Sequence, residues 1–409
     1  MFDIIIIGGG IGGMYCCYEL SKQNKVLLLD ERNYLGGRVK THYRPQFEIG
    51  AGRFHSSHSI LLSLIELCKL HKIQIGGPKD YIQENGLFLQ NANKYFEPVL
   101  KKCLNKSTLY SKHELQNMTF REYLEQIISK KEVELLIHIF GYFSEFNTLN
   151  AYDAIRSFKN EFSSKGHFFI LKEGLRKLIE CLESKSKSNG AIIKNNSKVI
   201  QVERDQNNNE MYVFTNNQKY IAHNVIFATK ASSLLHFPLL KTIFKQIKSV
   251  KAEPLLRIYA KYPKNKIGEI WFQNLPTTST NNILRQIIPI NPSTGLIMIS
   301  YTDGKDVEPF LTKETKKLKS ELSLRKIIRK QLNILFPTKD IPEPTFFYPY
   351  YWKEGCHYWK KGYNSDIISK KMIHPLDNIY ICGESFSKRQ CWMEGALEIA
   401  QTVIKNINK

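Results

Sequence analysis

The chain begins with an apolar strand that runs directly into a glycine-rich turn and a helix. Residues 2–7 include four consecutive isoleucines, which predict a strand buried on both faces of a parallel sheet. The turn that follows requires a positive φ at Gly8, close backbone approach to a diphosphate at Gly10 and tight helix–strand packing at Gly13. A second strand ends at Asp30, 22 residues after Gly8, where a carboxylate would accept hydrogen bonds from ribose hydroxyls. The alternative is a glycine-rich turn of some other α/β protein, but the strand and the acid favour a dinucleotide site.

The other end of the chain carries a second pattern of the same kind. Residues 379–382 predict a short buried strand, and Gly383 and Glu384 follow it directly. Trp392 and Met393 then open a last helix, whose free N–H groups would face a bound cofactor. Either pattern alone is weak evidence, but together they predict that both ends of the chain build one site.

Residues 30–39 resemble the E-A-R-x-x-x-G-G-R-V stretch of the flavin-containing amine oxidase superfamily, which includes monoamine, polyamine and L-amino-acid oxidases. Residues 48–53, 198–202 and 225–229 are similar to further family segments, in the same order along the chain. The resemblance implies an α/β, two-domain fold: an FAD-binding, Rossmann-like domain of the GR2 type and a substrate domain of mixed sheet and helices. It implies FAD contacts from Gly8, Gly10, Gly12, Gly13, Asp30, Glu31, Arg32, Gly37, Arg38, Gly52, Arg53, Val199, Gly383, Glu384, Trp392 and Met393.

The family resemblance also implies roles for some of these residues. Arg38 would neutralise cofactor phosphate, Val199 would touch adenine, and Glu384 would contact the ribityl chain and phosphate. Cys356 lies in a segment comparable to the one in which monoamine oxidases attach flavin covalently. Its spacing from Trp352 is shorter here and the flanking residues differ, so we expect FAD to bind without a covalent link.

The length of 409 residues exceeds what one hydrophobic core usually serves, so two interleaved domains are expected. We predict a discontinuous FAD-binding domain from residues 1–75, 167–248 and 360–409, and a substrate-binding domain from residues 76–166 and 249–359. Residues 76–166, the first part of the substrate domain, are predicted to form helices and loops. Strands near 255–262, 282–290 and 296–301 predict the mixed sheet.

Enzymes of this family take a hydride from a carbon that bears nitrogen, and oxygen then reoxidises the flavin with release of peroxide. The resemblance places Trp392 in an aromatic cage beside the flavin, with His357 or Tyr358 as the other wall. Many members carry a lysine on a substrate-domain strand, where our alignment puts Arg257, with Lys261 as the alternative. Arginine keeps the charge but cannot act as a base, which puts rapid reoxidation by oxygen in doubt.

The substrate prediction rests on Arg53. Residues 48–54 resemble a loop of L-amino-acid oxidases in which the arginine holds the substrate carboxylate through a two-pronged contact. Alternatively, Arg53 pairs with a flavin phosphate or with Glu48. His55 and His58 follow closely and could line the same pocket or be structural. The leading hypothesis is an amine or L-amino-acid oxidase; the others are a polyamine oxidase or desaturase-like flavoenzyme, and a non-catalytic flavin-bound protein.

The net charge of +21 needs an explanation of its own. Residues 312–335 predict a basic surface helix, with an apolar stripe formed by Leu318, Leu322, Ile328, Leu332 and Leu335. Its lysines fit either a solvated face or attraction to polyanions, and the abundance of Lys, Asn and Ile is typical of an AT-rich genome such as that of a large DNA virus.

Cysteine and histidine spacing is uninformative about ligands. The eight cysteines follow neither a C-x-x-C nor a regular disulfide pattern and suit a reducing compartment, and the eleven histidines predict no metal site. No apolar run approaches the roughly 20 residues of a membrane span, and the first strand leaves no room for a signal peptide. We therefore expect a soluble protein of the cytoplasm, or of the host cytoplasm or virion if the chain is viral, of undetermined oligomeric state.

Overall fold

A computed structural model describes residues 1–161, 166–205 and 208–409. The strands are β1 (Phe2–Ile7), β2 (Val26–Leu29), β3 (Thr41–Tyr43), β4 (Gln46–Glu48), β5 (Phe54–His55), β6 (Lys72–Ile75), β7 (Lys79–Ile82), β8 (Phe88–Leu89), β9 (Phe168–Leu171), β10 (Ile192–Lys194), β11 (Val199–Arg204), β12 (Met211–Thr215), β13 (Lys219–Phe227), β14 (Val250–Lys261), β15 (Thr277–Thr280), β16 (Gln286–Asn291), β17 (Leu296–Asp303), β18 (Phe346–Trp359) and β19 (Ile379–Ile381).

The α-helices are α1 (Ile11–Leu20), α2 (Ser59–Leu67), α3 (Asn93–Lys106), α4 (Lys112–Gln116), α5 (Phe120–Leu124), α6 (Lys130–Phe140), α7 (Ser144–Asn147), α8 (Ala151–Glu161), α9 (Arg176–Ser188), α10 (Ala231–Leu234), α11 (Phe244–Ile247), α12 (Glu321–Leu335), α13 (Ser365–Ile373) and α14 (Met393–Ile407). Short 3-10 helices cover Ser107–Leu109, Pro238–Ile243, Pro292–Thr294, Gly304–Phe310 and Glu384–Phe386.

The chain divides into two compact units. Unit 1 comprises residues 1–75, 160–252 and 357–409, and unit 2 comprises residues 76–159 and 253–356. Each unit therefore combines segments that are distant in sequence.

The main sheet of unit 1 has the strand order β10-β2-β1-β13-β12-β11, and β19 also pairs with β13. The pairings of β1 with β2 and β13, of β2 with β10 and of β13 with β19 are parallel, whereas β11 and β12 form an antiparallel extension. The isoleucines of β1 are almost completely buried, because helices α1, α9 and α14 contribute to the same core. Their continuous apolar pattern is typical of a parallel strand that is covered on both faces.

Unit 2 is built on a sheet of order β18-β14-β17-β16-β15-β7-β8. The expected strands near 255–262 and 296–301 correspond to β14 and β17. The expected strand at 282–290 is shifted to β16, and β15 precedes it. Strands β7 and β8 were not anticipated within the region expected to be helical and loop-rich, because both are very short.

The basic helix buries Ile328, Leu332 and Leu335 as expected, but it differs from the expectation in its start and at Leu322. It begins at Glu321, where the Ser320 side chain accepts a hydrogen bond from the backbone N–H of Ser323, so residues 312–320 lie outside it. Its buried face contains Leu324, whereas Leu322 is 65% exposed. A stripe drawn through Leu322 was therefore wrong.

One disulfide corrects the expectation for the cysteines. Cys68, at the end of α2, is joined to Cys181 in α9, 113 residues further along the chain. Packing of these two helices brings the sulfurs together, and no local spacing rule could have indicated it. Among the described residues, no group of three or more His, Cys, Asp or Glu side chains could hold a metal ion. No helix within the described ranges is both long enough and apolar enough to cross a membrane.

Candidate functional site

The turn between β1 and α1 has the geometry that its glycines require. Gly8 adopts a φ of +108°, and a Cβ there would lie 2.6 Å from the carbonyl oxygen of Ala228. A Cβ on Gly13 would lie 2.1 Å from the carbonyl oxygen of Gly8, so α1 packs on the turn at a distance that only glycine permits. These two glycines serve the packing of the strand–turn–helix unit.

Gly10 differs from its neighbours because the space beside it is open. No heavy atom lies within 4 Å of the position that a Cβ on Gly10 would take. Gly10 is also the N-cap of α1, and no side chain caps this helix end. The first N–H groups of the helix therefore face a cradle in which a diphosphate fits.

Asp30 fixes the turn from the end of β2. Its carboxylate accepts hydrogen bonds from the backbone N–H groups of Gly9, at 2.6 Å, and of Arg32, at 2.8 Å. The side chain is buried, whereas Glu31 is exposed. Each carboxylate oxygen retains capacity for a further donor, so the expected contact with ribose hydroxyls remains a prediction.

Thr229 is a residue of this site that the sequence analysis did not single out. It follows β13 and lies beside the turn, with its Cγ2 3.3 Å from the position of a Cβ on Gly8. Its hydroxyl oxygen is buried and has no hydrogen-bond partner among the described residues. A buried hydroxyl without a partner suits a group that is completed by a bound ligand. Its position at the carboxyl end of a parallel strand was the available signal.

Glu384 is a buried carboxylate surrounded by donors. Arg38 Nη2 lies 2.7 Å from Oε2, and the backbone N–H of His357 donates to Oε1 at 2.9 Å. The imidazole Nδ1 of His357 lies 3.0 Å from Oε2. Burial alone would raise the pKa of Glu384, but Arg38 and His357 outweigh it and hold the pKa well below its ordinary range. The charge of Arg38, expected to neutralise phosphate, is thus partly balanced by this carboxylate.

The contacts of Glu384 correct the expectation for the aromatic cage. His357 is fully buried and Tyr358 is 4% exposed, so neither presents a free face to a substrate. His357 instead orients Glu384, from which it is separated by 27 residues of sequence. In the structure His357 holds this carboxylate in place, and the place of the segment beside a flavin stays a prediction.

Arg53, Phe168 and Trp392 form an aromatic column with a cation at one end. The Arg53 guanidinium lies 4.6 Å from the centre of the Phe168 ring, and the rings of Phe168 and Trp392 stack at 6.0 Å and 18°. Among the described residues, no carboxylate lies within 4.0 Å of Arg53, so the suggested pairing with Glu48 is not formed. Phe168, which joins the two predicted residues, was missed because it lies more than 100 residues from Arg53 in sequence.

Behind Trp392 lies a buried network of charged and polar groups. The His58 ring packs edge-on to Trp392 at 5.1 Å, and its Nε2 lies 3.0 Å from the carboxylate of Glu161. His58 Nδ1 accepts the backbone N–H of His55, so its Nε2 carries the proton that is donated to Glu161. Arg389 contacts the same carboxylate at 3.3 Å.

Protonation states follow from this arrangement. Burial would raise the pKa of Glu161, but His58 and Arg389 lower it below its ordinary value. Burial lowers the pKa of His55 below its ordinary value, although the carboxylate of Glu161 opposes this shift. His55 Nδ1 contacts the Ser57 hydroxyl at 2.9 Å, whereas its Nε2 is buried without a hydrogen-bond partner among the described residues. The expected contact of His55 with a substrate stays a prediction.

The last helix contributes through its N-terminus. Trp392 is the N-cap of α14 and no side chain caps this end, so the N–H groups near Met393 are available to a ligand. Glu394 has a structural task instead, because its carboxylate accepts the backbone N–H groups of Ile60 and Leu61, both at 2.9 Å, at the start of α2. The other expected cofactor contacts lie in unit 1 as well: Gly12, Gly37, Gly52, Val199 and Gly383.

In unit 2, Arg257 lies on β14 among tyrosines. Its Nη2 donates to the Tyr301 hydroxyl at 3.0 Å, and the Tyr142 ring packs edge-on to Tyr301 at 5.0 Å. Burial would lower the pKa of Arg257, but Tyr301 and Tyr259 raise it above its ordinary value, so the guanidinium stays charged. Lys261 is exposed at the end of β14, which excludes it as the buried cation of this strand.

Comparison with known proteins adds independent findings. A family model described as flavin containing amine oxidoreductase matches residues 11–404. Two structures of putrescine oxidase variants with redesigned cofactor binding align with TM-scores of 0.81 and 14% identity, over 100% of this chain and 98–99% of theirs. The expected two-domain α/β fold is thereby confirmed. An uncharacterised protein of Acanthamoeba polyphaga mimivirus is 34% identical over 93 residues, 21% of this chain and 18% of that relative's length.

Proposed function

The chain belongs to the flavin containing amine oxidoreductase family, and we propose that it is an FAD-dependent oxidase of a carboxylate-bearing amine, most simply an L-amino acid. The reaction removes a hydride from the carbon of a C–N bond. FAD would supply the hydride acceptor and would pass the electrons to oxygen, with release of peroxide. The observation that carries the proposal is the position of Arg53 on the aromatic column.

Unit 1 would hold the cofactor. The open space at Gly10 and the uncapped start of α1 suit the diphosphate, and the buried Thr229 hydroxyl suits a polar contact with it. Asp30 would add an acceptor for ribose hydroxyls while it fixes the turn. Arg38 would supply positive charge toward phosphate, with Glu384 setting its direction. The donor set requires no covalent bond to the protein.

Arg53 would bind the substrate carboxylate. Its guanidinium rests on Phe168 and has no carboxylate partner among the described residues, so its donors can meet a two-oxygen acceptor. Trp392, stacked with Phe168, would form an apolar wall for the substrate side chain. A planar guanidinium held on a ring suits this task because little rotational freedom is lost on binding.

The carboxylate behind Trp392 gives no support to a polyamine substrate. A cationic amine can be bound by aromatic faces or by free carboxylates, but Glu161, the acid in contact with His58, is already engaged by His58 and Arg389. If the chain were a polyamine oxidase that binds its substrate through carboxylates, residues other than Glu161 would have to supply them. The putrescine oxidase structures share the fold at 14% identity, which leaves the substrate open.

Unit 2 contains the charged residue that the family resemblance singles out. The resemblance matches Arg257 to a lysine of many family members, and Tyr301 holds its guanidinium in place. An arginine remains charged and cannot exchange protons, so we assign Arg257 an electrostatic role and no acid–base role. We further propose that oxygen is the electron acceptor. We also propose a cytoplasmic location, which for a viral chain would be the host cytoplasm or the virion.

Anaerobic titration of the yellow protein tests the substrate class. L-amino acids are added first and polyamines second, and flavin absorbance is followed at about 450 nm. We expect bleaching by an amino acid in the wild-type chain and a loss of at least about 100-fold in apparent affinity in Arg53→Ala, on the order of one bidentate charged contact. Arg53→Lys should recover only part of this affinity, because an ammonium cannot make the paired contact.

Arg44→Ala is the matched control, because Arg44 is an exposed arginine of the same unit. It should bleach like the wild-type chain. Bleaching by polyamines alone would refute the carboxylate contact. A flavin that stays oxidised with both substrate classes would favour the non-catalytic alternative.

A further inference from the structure

Two histidines pack against the aromatic column of Arg53, Phe168 and Trp392. The His58 ring lies edge-on to Trp392 at 5.1 Å and 69°, and the His55 ring is tilted against Phe168 at 5.1 Å and 60°. The two imidazoles also contact each other, with their ring centres 6.0 Å apart. Each aromatic ring of the column therefore has an imidazole against it.

The ring of His58 is held at both of its nitrogen atoms. Its Nδ1 accepts the backbone N–H of His55 at 3.2 Å, and its Nε2 donates to a carboxylate oxygen of Glu161 at 3.0 Å. An imidazole that is bonded at both nitrogens cannot rotate about its Cβ–Cγ bond without the loss of a hydrogen bond. His58 is fully buried, so water does not replace either partner. The edge that His58 presents to Trp392 therefore depends on Glu161.

Glu161, the last residue of α8, is a charged group in the interior of unit 1. Its side chain is 0% exposed, and Arg389 Nη1 lies 3.3 Å from the oxygen that does not accept from His58. Burial would raise the pKa of Glu161, but His58 and Arg389 lower it below its ordinary value, so the carboxylate is ionised at pH 7. A buried pair of charges contributes little net stability. The specific consequence of this carboxylate is the orientation of the His58 ring.

The two histidines are closely surrounded by backbone. A Cβ on Gly166 would lie 1.7 Å from His55 Nε2, so the chain at Gly166 packs directly against this ring. Arg389 Nη1 lies 3.3 Å from both the carbonyl oxygen and the hydroxyl of Ser57, which stands between the two histidines in sequence. The backbone that carries the histidines is thus fixed, and ring orientation is the property that Glu161 controls.

Arg389 does not depend on Glu161 alone. Its Nε lies 3.3 Å from the carboxylate of Glu398, on α14, so the guanidinium bridges two acids. In the part of the chain that the structure describes, the carboxylate that accepts from His58 is that of Glu161 and not that of Glu398. A comparison of the two acids therefore separates an effect through His58 from an effect through Arg389.

We propose that Glu161 and His58 are positioning residues for Trp392 and thereby set the affinity for the side chain of the substrate. Glu161 fixes the His58 ring, whose edge keeps the indole close to parallel with Phe168. The inference rests on the proposed function, in which Arg53 binds the carboxylate of an amino acid and Trp392 forms a wall for its side chain. It adds a division of tasks. Arg53 acts on every amino acid, whereas Glu161 and His58 act on substrates with a large apolar side chain.

The test compares a large and a small amino acid. L-phenylalanine and L-alanine are titrated anaerobically into the flavin-loaded protein, and flavin absorbance gives the apparent affinity and the limiting rate of reduction. In Glu161→Ala we expect phenylalanine to bind about tenfold more weakly, on the order of one aromatic contact. Alanine should bind within about twofold of its wild-type affinity, because the carboxylate contact of Arg53 is intact.

Two further variants identify the bond that matters. Glu161→Gln should recover most of the affinity for phenylalanine, since its amide oxygen still accepts from His58 Nε2. Glu398→Ala is the matched control, because it removes the other acid in contact with Arg389, and it should bind both amino acids like the wild-type chain. If Glu398→Ala behaves like Glu161→Ala, the effect passes through Arg389 and the proposal is overturned.

A double-mutant cycle tests whether the effect passes through Trp392. In a Trp392→Leu background, Glu161→Ala should change the affinity for phenylalanine by less than about twofold, because the ring that it positions is absent. The difference in near-UV circular dichroism between the wild-type chain and Trp392→Leu reports on the packed indole without any substrate. This difference should shrink when both chains carry Glu161→Ala.

Thermal midpoints and flavin absorbance establish that the variants are folded. If Glu161→Ala does not fold, His58→Leu, which leaves Glu161 paired with Arg389, gives the same comparison. Equal weakening for phenylalanine and alanine, unchanged affinity for both, or a full effect in the Trp392→Leu background would overturn the proposal. A flavin that no amino acid reduces would refute the proposed function, and an unchanged dichroism difference would then refute the positioning of Trp392 separately.

Discussion

At the scale of single residues, Glu384 shows how a charge is kept in the interior of unit 1. Its carboxylate has a guanidinium, an imidazole and a backbone N–H around it, and the side chain is 5% exposed. For a buried carboxylate with these partners, the cost of removing the charges from water largely offsets their attraction. Its main effect is therefore to orient its partners, and its net contribution to stability is small. Removal of its charge would leave Arg38 and His357 without this carboxylate as a partner.

This environment predicts the effect of Glu384→Gln. The free energy of unfolding at pH 7 should fall by about 3–5 kcal/mol, because one partner of a buried pair is lost. The folded pKa of Glu384 is lowered, so its contribution is fully present above the unfolded pKa of about 4.3 and is lost as the pH falls toward the folded value. The wild-type chain should therefore lose more stability than the variant between about pH 5 and pH 3.

Urea unfolding at several pH values measures both effects. Glu321→Gln is a suitable control, because this glutamate is 56% exposed and pairs with Arg325 at the surface. Its substitution should change the free energy of unfolding by less than about 1 kcal/mol. A Glu384→Gln chain with wild-type stability and wild-type pH dependence would contradict the interpretation of the buried pair.

At the scale of elements, the glycines of the β1–turn–α1 unit have two different functions. Gly8 and Gly13 permit close packing, whereas Gly10 leaves space for a ligand. Gly13→Ala places a Cβ 2.1 Å from the carbonyl oxygen of Gly8 and should prevent correct folding of the unit. Gly10→Ala meets no atom within 4 Å and has a φ of −67°, which alanine adopts readily. We expect Gly10→Ala to be as stable as the wild-type chain without cofactor, or more stable by up to about 1 kcal/mol.

The same Gly10→Ala chain should bind FAD poorly, because its methyl group would occupy the diphosphate cradle. Thermal unfolding of the apoprotein and fluorescence titration with FAD measure the two properties separately. The expected pattern is a normal midpoint with weak FAD binding for Gly10→Ala, and a low midpoint for Gly13→Ala. Tight FAD binding by Gly10→Ala would place the diphosphate elsewhere.

Elements were predictable from sequence where the signal was local. The isoleucines of β1, the glycines after them and the spacing to Asp30 define the unit because each depends on neighbours in the chain. The apolar stripe of helix α12 was predicted correctly at Ile328, Leu332 and Leu335. Leu322 was predicted to be buried in place of Leu324, because both are apolar and only tertiary packing decides which is buried. Strands β7 and β8 are too short to give a periodic pattern.

The candidate site was also predictable only where the sequence signal was local. Arg53 and Trp392 were predicted from motifs, but Phe168 between them was not, because stacking across 115 and 224 residues of sequence leaves no local mark. His357 was predicted to face a substrate and instead holds Glu384. A motif identifies which segments meet, whereas the direction of a side chain is decided by its partners.

At the scale of the whole molecule, each unit gathers segments that are far apart in sequence, so links between distant segments matter for stability. Cys68 and Cys181 both belong to unit 1, and their disulfide closes a loop of 113 residues across the excursion of the chain into unit 2. Both cysteines are half-buried, so a reductant can reach the bond. A reducing compartment would therefore keep the link open, and an oxidising one would close it.

Thiol counting under denaturing, non-reducing conditions tests this link. After air oxidation we expect six titratable thiols among the eight cysteines, because Cys68 and Cys181 are joined. Reduction should lower the free energy of unfolding by about 2–5 kcal/mol, since the unfolded chain regains the freedom of a long loop. The double variant Cys68→Ser, Cys181→Ser should match the reduced wild-type chain and be indifferent to reductant. Eight thiols in the oxidised protein, or equal stability of all forms, would show that the two helices are held by packing alone.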